Sequence, residues 1–307
     1  MIIAELRVPC CNTTLMGVVR GVADYYGLPA SDALLYGGTG HAFLMNIHEA
    51  LCPSGPYCWN PEPFVAGLRN LGLVRTDHGF FGTGSSAGER AVVEGLLRSK
   101  LEAGIPCSLL NMENQLITGY DDSGFLTTQP WAPHVDFPPA HLSFGTWAEL
   151  GQEFHLSFFS FERREPATPL ETVVASLEYA VDVWRRPERH TGPAYGVGPR
   201  AYDNWIAAVE QGHGASHGNW WNGTVWAECR SRAADYLREL AAEHPQAREA
   251  GAALGQEDGI IAANLGLASD KEMDPAAKVA LLRQTRAAEE ACIPRLETLA
   301  ESLRAGC

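Results

Sequence analysis

The residues best suited to chemistry open the chain: Cys10 and Cys11 lie within VPCCNTTLMGVVRGVADYYG, positions 8–27. An apolar, strand-like segment (Ile2, Ile3, Leu6, Val8) breaks at Pro9, and Asn12, Thr13 and Thr14 can each cap a helix N-terminus. Leu15, Val18, Val19 and Val22 then recur with helical spacing, and Gly27 ends the helix after Tyr25 and Tyr26. A thiol at such a helix start faces unpaired backbone N–H groups and the positive end of the macrodipole, which favour thiolate over thiol. The same N–H groups can hold a developing oxyanion. The competing reading is a buried pair of small apolar side chains, the common state of free cysteine.

Two further groups carry chemistry-bearing types. His41 follows Gly37-Gly38-Thr39-Gly40 and, with His48, brackets a strand expected over 42–47. It is either a base or a hydrogen-bonded structural histidine. The glycines are not a phosphate loop, because the lysine of that motif is missing and no G-x-G-x-x-G occurs. In the second half, Gly218-Asn219-Trp220-Trp221-Asn222 precedes Trp226 and Glu228, with His213 and His217 just upstream. This cluster either packs a domain interface or lids a pocket, with Asn219, Trp220, Asn222 and Glu228 touching substrate.

Composition narrows the partners. The chain has 307 residues, enough for two domains with separate cores. Its 37 Asp and Glu against 23 Lys and Arg, with no basic run, argue against nucleic acid and anionic membrane as partners. The N-terminus lacks the basic-then-apolar layout of a signal peptide, and no apolar run approaches a membrane span, so a cytoplasmic location is expected. The 8 cysteines include no C-x-x-C and no paired histidine spacing; they read as reduced thiols, with no metal site and no cofactor implied.

The elements that must position these residues follow from local signals. Ser31 caps a short helix through Tyr36, and Asn60-Pro61 starts another that ends at Gly72. A strand is expected over 73–81, and Ser86-Ala-Gly-Glu89 is a capping box for a helix reaching Gly104. Strands at 106–112, 115–120 and 125–128 come next, the last two joined at Asp121-Asp122-Ser123-Gly124, then a short helix at 146–150 and a strand at 155–161. From the capping box Thr168-Pro-Leu-Glu171 onward every segment is helical: 169–186, 199–211, 220–243, 246–268 and 275–304. The expected division is an α+β domain, 1–165, followed by an all-helical domain, 166–307.

The order of a strand, a cysteine at a helix start, Tyr25-Tyr26-Gly27 and a later Gly-Tyr-Asp hairpin resembles the papain-like fold of bacteriocin-processing cysteine peptidases. More closely, it resembles the butirosin-biosynthesis H N-terminal domain family. Cys10-Cys11-Asn12-Thr13-Thr14-Leu15 resembles that family's Cys-Gly-x-x-x-Leu, with Cys11 replacing the glycine, and Gly37-Gly38-Thr39-Gly40 resembles its Gly-rich stretch. Gly119-Tyr120-Asp121-Asp122-Ser123-Gly124 resembles its hairpin. The resemblance covers residues 1–162 and implies acyl transfer: a cysteine thiolate attacks a carbonyl, a histidine on the strand before Gly-Tyr-Asp moves the proton, and an aspartate before a proline orients it.

The chain departs from that pattern. Asn111-Met-Glu-Asn-Gln-Leu-Ile-Thr-Gly119 contains no histidine, Gln129-Pro130 stands for Asp-Pro, and no glutamine precedes Gln115. Without an imidazole Cys10 lacks a proton acceptor and an amide leaving group lacks a general acid, which argues against peptidase activity. His41 is the available substitute. Glu113, Asn114 and Gln129 remain in the implied pocket beside Cys10 and Cys11. A partly buried carboxylate can serve as a base, and amides can orient a polar substrate. Asn114 is expected to inherit the histidine's inward position, with Glu113 as the alternative. Two functions follow as expectations. One is a biosynthetic enzyme acting on a small-molecule natural-product substrate, free or carrier-protein-bound, by acyl transfer through Cys10 or non-hydrolytic substitution through Glu113. The other is an inactive homologue that binds a ligand or a protein partner, including a second copy of itself.

Overall fold

The structure is a computed structural model in which residues 1–305 are described. In chain order the elements are α1 (Thr14–Tyr25), α2 (Asp32–Gly38), β1 (Asn46–His48), α3 (Glu62–Asn70), β2 (Leu73–Phe81), α4 (Ala87–Glu102), β3 (Cys107–Asn111), β4 (Glu113–Tyr120), β5 (Gly124–Thr127), β6 (His141–Ser143) and β7 (Leu156–Arg163). The second half contributes α5 (Pro169–Arg185), β8 (Tyr195–Val197), α6 (Pro199–Glu210), α7 (His217–Glu243), α8 (Arg248–Ala268) and α9 (Pro275–Ala305). Helix starts fall where side chains can cap them. Ser86 with Glu89 and Thr168 with Glu171 form complete reciprocal capping boxes, and Ser31 and Ser216 accept from the backbone of α2 and α7.

The fold is a mixture of helix and antiparallel sheet, α+β, as expected. It is organised as two compact units, Met1–Ala30 with Gly72–Glu165 and Ser31–Leu71 with Pro166–Cys307. In unit 1 six strands pair antiparallel in the order β2-β7-β3-β4-β5-β6. Helix α1 packs on β4, burying Met16, Val18, Val19 and Val22 along one face. The N-terminal segment bridges to the far end of β4, with Ile3 N–H donating to Thr118 O at 2.7 Å.

Unit 2 corrects the expected boundaries: residues 31–71 belong with the C-terminal helices instead of the sheet domain. The reason is packing that a linear reading cannot supply. A Cβ at Gly37 would lie 2.2 Å from the Tyr236 ring, so the helix α2 backbone sits directly on α7. Tyr36 Oη donates to Glu228 at 2.7 Å, and Arg230 Nη1 donates to Ala42 O at 2.6 Å. Gly37 and Gly38 therefore finish a helix at close approach; only Gly40, at φ 76°, uses the turn freedom expected of this stretch. Unit 2 is also not all-helical. Residues 41–43 form a single 3₁₀ turn, and the strand expected over 42–47 shortens to β1, which pairs antiparallel with β8 through Asn46–Val197 and His48–Tyr195.

Candidate functional site

Each unit holds part of the expected site. In unit 1 the centre is the meeting of α1 with the start of β4. Helix α1 begins at Thr14 with Thr13 as its N-cap, so Cys10 lies outside the helix, on exposed chain. Cys11 is the sulfur that turns back to the helix. Its Sγ donates to Thr13 O at 3.4 Å and would stand 2.8 Å from a Cβ at Gly17. The cysteine-at-helix-start expectation is corrected in position: a threonine occupies the first helical residue.

Strand β4 follows β3 through a one-residue turn at Met112, φ 41°, which pairs Asn111 with Glu113. Residues 113–117 are all buried, because both faces of this central strand are covered, so alternation does not sort them into inward and outward sets. The side chain that reaches α1 is Glu113. Thr14 Oγ1 donates to Glu113 Oε2 at 2.7 Å and accepts from Asn114 N–H at 3.1 Å. Thr14 is 1 % exposed and Glu113 6 %, so this junction is closed to solvent. The expectation put Asn114 first; the β4 side chain seen bonded to α1 is Glu113, through the Thr14 hydroxyl. Asn114 is buried, and its Nδ2 has no hydrogen-bond partner.

The amides nearby hold loop carbonyls. Gln115 Nε2 donates to Thr128 O at 2.6 Å and Pro139 O at 2.7 Å, and Gln129 Nε2 donates to Pro138 O at 3.0 Å. Trp131 Nε1 donates to Cys11 O at 3.1 Å, tying the same loop to the chain before α1. Gln129 thus fixes the loop that crosses this end of the sheet.

The remaining candidates belong to unit 2. His41 is 2 % exposed, its ring 5.3 Å from Trp59, 5.7 Å from Phe64 and 6.0 Å from Trp226. Burial, with the Arg230 charge adding to it, lowers its pKa to about 3, so it stays neutral and is a feeble proton acceptor at pH 7. Asn219 is fully buried: its Oδ1 accepts from Trp205 Nε1 at 2.8 Å and its Nδ2 donates to Ala268 O at 3.0 Å. Asn222 Nδ2 donates to Cys52 O at 3.0 Å and Gly218 O at 2.8 Å. Glu228 accepts the Tyr36 hydroxyl. Asn219 and Asn222 are thus held by bonds within unit 2 itself, and Glu228 is half-buried there. Trp220 differs: it is 38 % exposed, edged by His217 and Trp221, with Lys271 Nζ 5.6 Å from its ring centre.

Sequence reasoning missed two features. In sequence Thr14 is a candidate cap, and nothing local marks it as the partner of a residue 99 positions away. The second is a buried polar cluster: Arg230 Nε donates to Glu289 Oε1 at 3.0 Å, Tyr202 Oη donates to Glu289 Oε2 at 2.5 Å, and Asp258 is buried alongside. An arginine between apolar positions of α7 was its one signal. No group of three or more His, Cys, Asp or Glu able to hold a metal occurs among the described residues, and none of their helices is long and apolar enough to cross a membrane. No protein-family model matches the chain, and no curated protein matches it in sequence.

Proposed function

We propose that the chain is a natural-product biosynthetic protein on a papain-like scaffold of the butirosin H type that works by binding a small molecule or a partner protein. In this reading the acyl-transfer centre has become a structural contact. The observation that carries it is the Thr14–Glu113 bond: where α1 meets β4, a buried hydroxyl is held by a buried carboxylate. A carboxylate engaged this way is buried, whereas Cys10 lies on the exposed chain before the helix. Gln129 and Gln115 are committed to carbonyls, and His41 is part of the unit 2 core. Unit 1 offers a separate concave surface of about 520 Å³ between β2 and α4, lined by His78, Phe81, Val92, Val93 and Leu96, at the edge of the sheet three strands from β4.

A second reading is acyl transfer through Cys10, favoured by that thiol's exposure. Exchange with an acyl thioester expels a thiolate and needs no general acid, so the missing histidine does not forbid it. Intact-mass and peptide mapping after incubation with acyl thioesters separate the two. The binding reading expects Cys10 to acylate no faster than the exposed Cys58. Stoichiometric acylation confined to Cys10, discharged by an amine acceptor, would replace it with the transferase reading.

A further inference from the structure

Three side chains of unit 1 that the proposed function does not use stand in the order serine, histidine, carboxylate. They lie at the β6 edge of the sheet, opposite the edge that forms the β2–α4 groove. Ser123 sits in the turn joining β4 to β5, His141 opens β6, and Glu149 lies on the 3₁₀ turn 148–150. His141 Nε2 is 3.1 Å from Ser123 Oγ, and its Nδ1 is 3.1 Å from Glu149 Oε1. The carboxylate is fixed in turn: Ser143 N–H donates to Oε2 at 2.9 Å, and the Ser143 hydroxyl donates to Oε1. Burial raises the Glu149 carboxyl, but the bonds from Ser143 and His141 outweigh it and lower it to about 2. The carboxylate is therefore anionic at neutral pH and holds Nδ1–H, which turns the Nε2 lone pair toward Ser123. Gly124 makes this approach possible, since a Cβ there would lie 2.6 Å from His141 Cε1 and 2.7 Å from Nε2. Ser123 is exposed, and the His141 and Glu149 side chains are 32 % and 27 % exposed, so a reagent reaches the hydroxyl from solvent.

The Ser123 hydroxyl has one proton and two acceptors in range, Asp121 Oδ1 at 2.6 Å and His141 Nε2 at 3.1 Å. The shorter bond is the resting one. Asp121 Oδ1 also accepts Ser123 N–H at 2.7 Å and Gly124 N–H at 3.0 Å, so its charge stays hydrogen-bonded when the hydroxyl turns to the imidazole. Asp121 thus competes with His141 for the proton and restrains the serine without disabling it.

We propose that Ser123, His141 and Glu149 form a nucleophile, base and orienting acid that cleave small activated carboxylic esters. Ser123 Oγ attacks the ester carbonyl carbon as its proton passes to His141 Nε2. The bond from that carbon to the leaving oxygen breaks, and the leaving group takes the proton from His141, which leaves an acyl ester on Ser123. Water then attacks the acyl carbon and gives a proton to Nε2, and Ser123 departs with that proton. Ester and water become acid and alcohol, and the site is restored. Ser123 and His141 are the catalytic residues. Glu149 is a positioning residue: it fixes the imidazole tautomer and stabilises the imidazolium. The open position at a hairpin tip selects by reactivity more than by shape, which is why the substrate class is esters with good leaving groups.

The test treats the full-length protein with an alkyl fluorophosphonate, which esterifies an activated serine with loss of fluoride, and follows the adduct by peptide mass over time. One adduct is expected, on Ser123, and His141→Ala should slow its formation about a hundredfold, the scale of a lost general base. Glu149→Gln should slow labelling and move its pH profile to lower pH, because an amide does not stabilise the imidazolium. Asp121→Asn should label faster than wild type, since a neutral acceptor holds the hydroxyl less strongly. Hydrolysis of p-nitrophenyl acetate should follow the same order and be lost in Ser123→Ala. No adduct on Ser123, labelling that His141→Ala leaves unchanged, an unmoved pH profile in Glu149→Gln, labelling no faster in Asp121→Asn, or ester hydrolysis that survives Ser123→Ala would each overturn the proposal.

Discussion

Thr14 Oγ1 donates to Glu113 Oε2 at 2.7 Å across 99 positions of sequence, joining the first residue of a helix to the first residue of a strand. If the contact is structural, each partner supports the other. Thr14→Val and Glu113→Gln should each lower the unfolding free energy by about 1–3 kcal/mol, and the double variant should lose less than the sum. Urea unfolding of the four proteins measures this. Additive losses, or no loss in Glu113→Gln, would return the carboxylate to the list of candidate bases.

Two buried groups of unit 2 oppose each other in pH dependence. Burial lowers His41 from 6.5 to about 3, so between those values the unfolded chain holds a proton that the folded chain does not, and stability rises with pH. Asp258 behaves in reverse. Burial, with Glu289 and Glu257 nearby and against the pull of Arg230 and Arg238, raises it from 3.8 to about 7, so stability falls as pH climbs through that window. Over the shared range, 3.8 to 6.5, the two slopes cancel. Each substitution should unmask the other group. His41→Phe should grow more stable toward acid, and Asp258→Asn more stable toward neutral pH, by a few kcal/mol at the extremes. Thermal melts from pH 4.5 to 7.5 in matched salt check both signs, and parallel curves for wild type and variants would refute the pairing.

Arg230 is the cation of the same cluster. Besides Glu289 it donates from Nη1 to Ala42 O at 2.6 Å and Leu44 O at 3.2 Å, holding the segment after α2 to α7. Arg230→Met leaves the buried Glu289 carboxylate without its cation, though Tyr202 still donates to it, and takes a donor from two carbonyls; it should cost about 3–5 kcal/mol. Arg230→Lys keeps the charge but not the planar fork, so a smaller loss is expected. Chemical denaturation of both variants measures the difference; equal stability of the two would mean that charge alone matters.

Gly37→Ala tests why residues 31–71 leave the first unit. The added methyl would fall within 2.2 Å of the Tyr236 ring. Helix propensity alone makes this substitution favourable by about 1 kcal/mol, yet overpacking should make it destabilising by about 1–3 kcal/mol. Amide exchange should quicken in α2 and α7. Unchanged protection there would remove the contact as the reason for the boundary.

The local signals of the sequence were sufficient wherever structure is decided within a turn or two of chain. The boxes at Ser86–Glu89 and Thr168–Glu171 start α4 and α5 where expected, and Pro199 and Pro275 open α6 and α9. The strand over 73–81 is β2 itself. The expectations that failed were those requiring knowledge of what lies opposite. Gly37 and Gly38 look like a turn until the Tyr236 ring is seen to demand bare backbone, and β8 is too short to announce itself before it meets β1. Glu113 and Asn114 could not be ranked by alternation, since a strand covered on both faces buries every side chain. Helix caps and periodicity are written in neighbouring residues; the partner of a buried hydroxyl, the unit to which a segment belongs and the access of a thiol are set by contacts between residues far apart in sequence, and only folding brings those together.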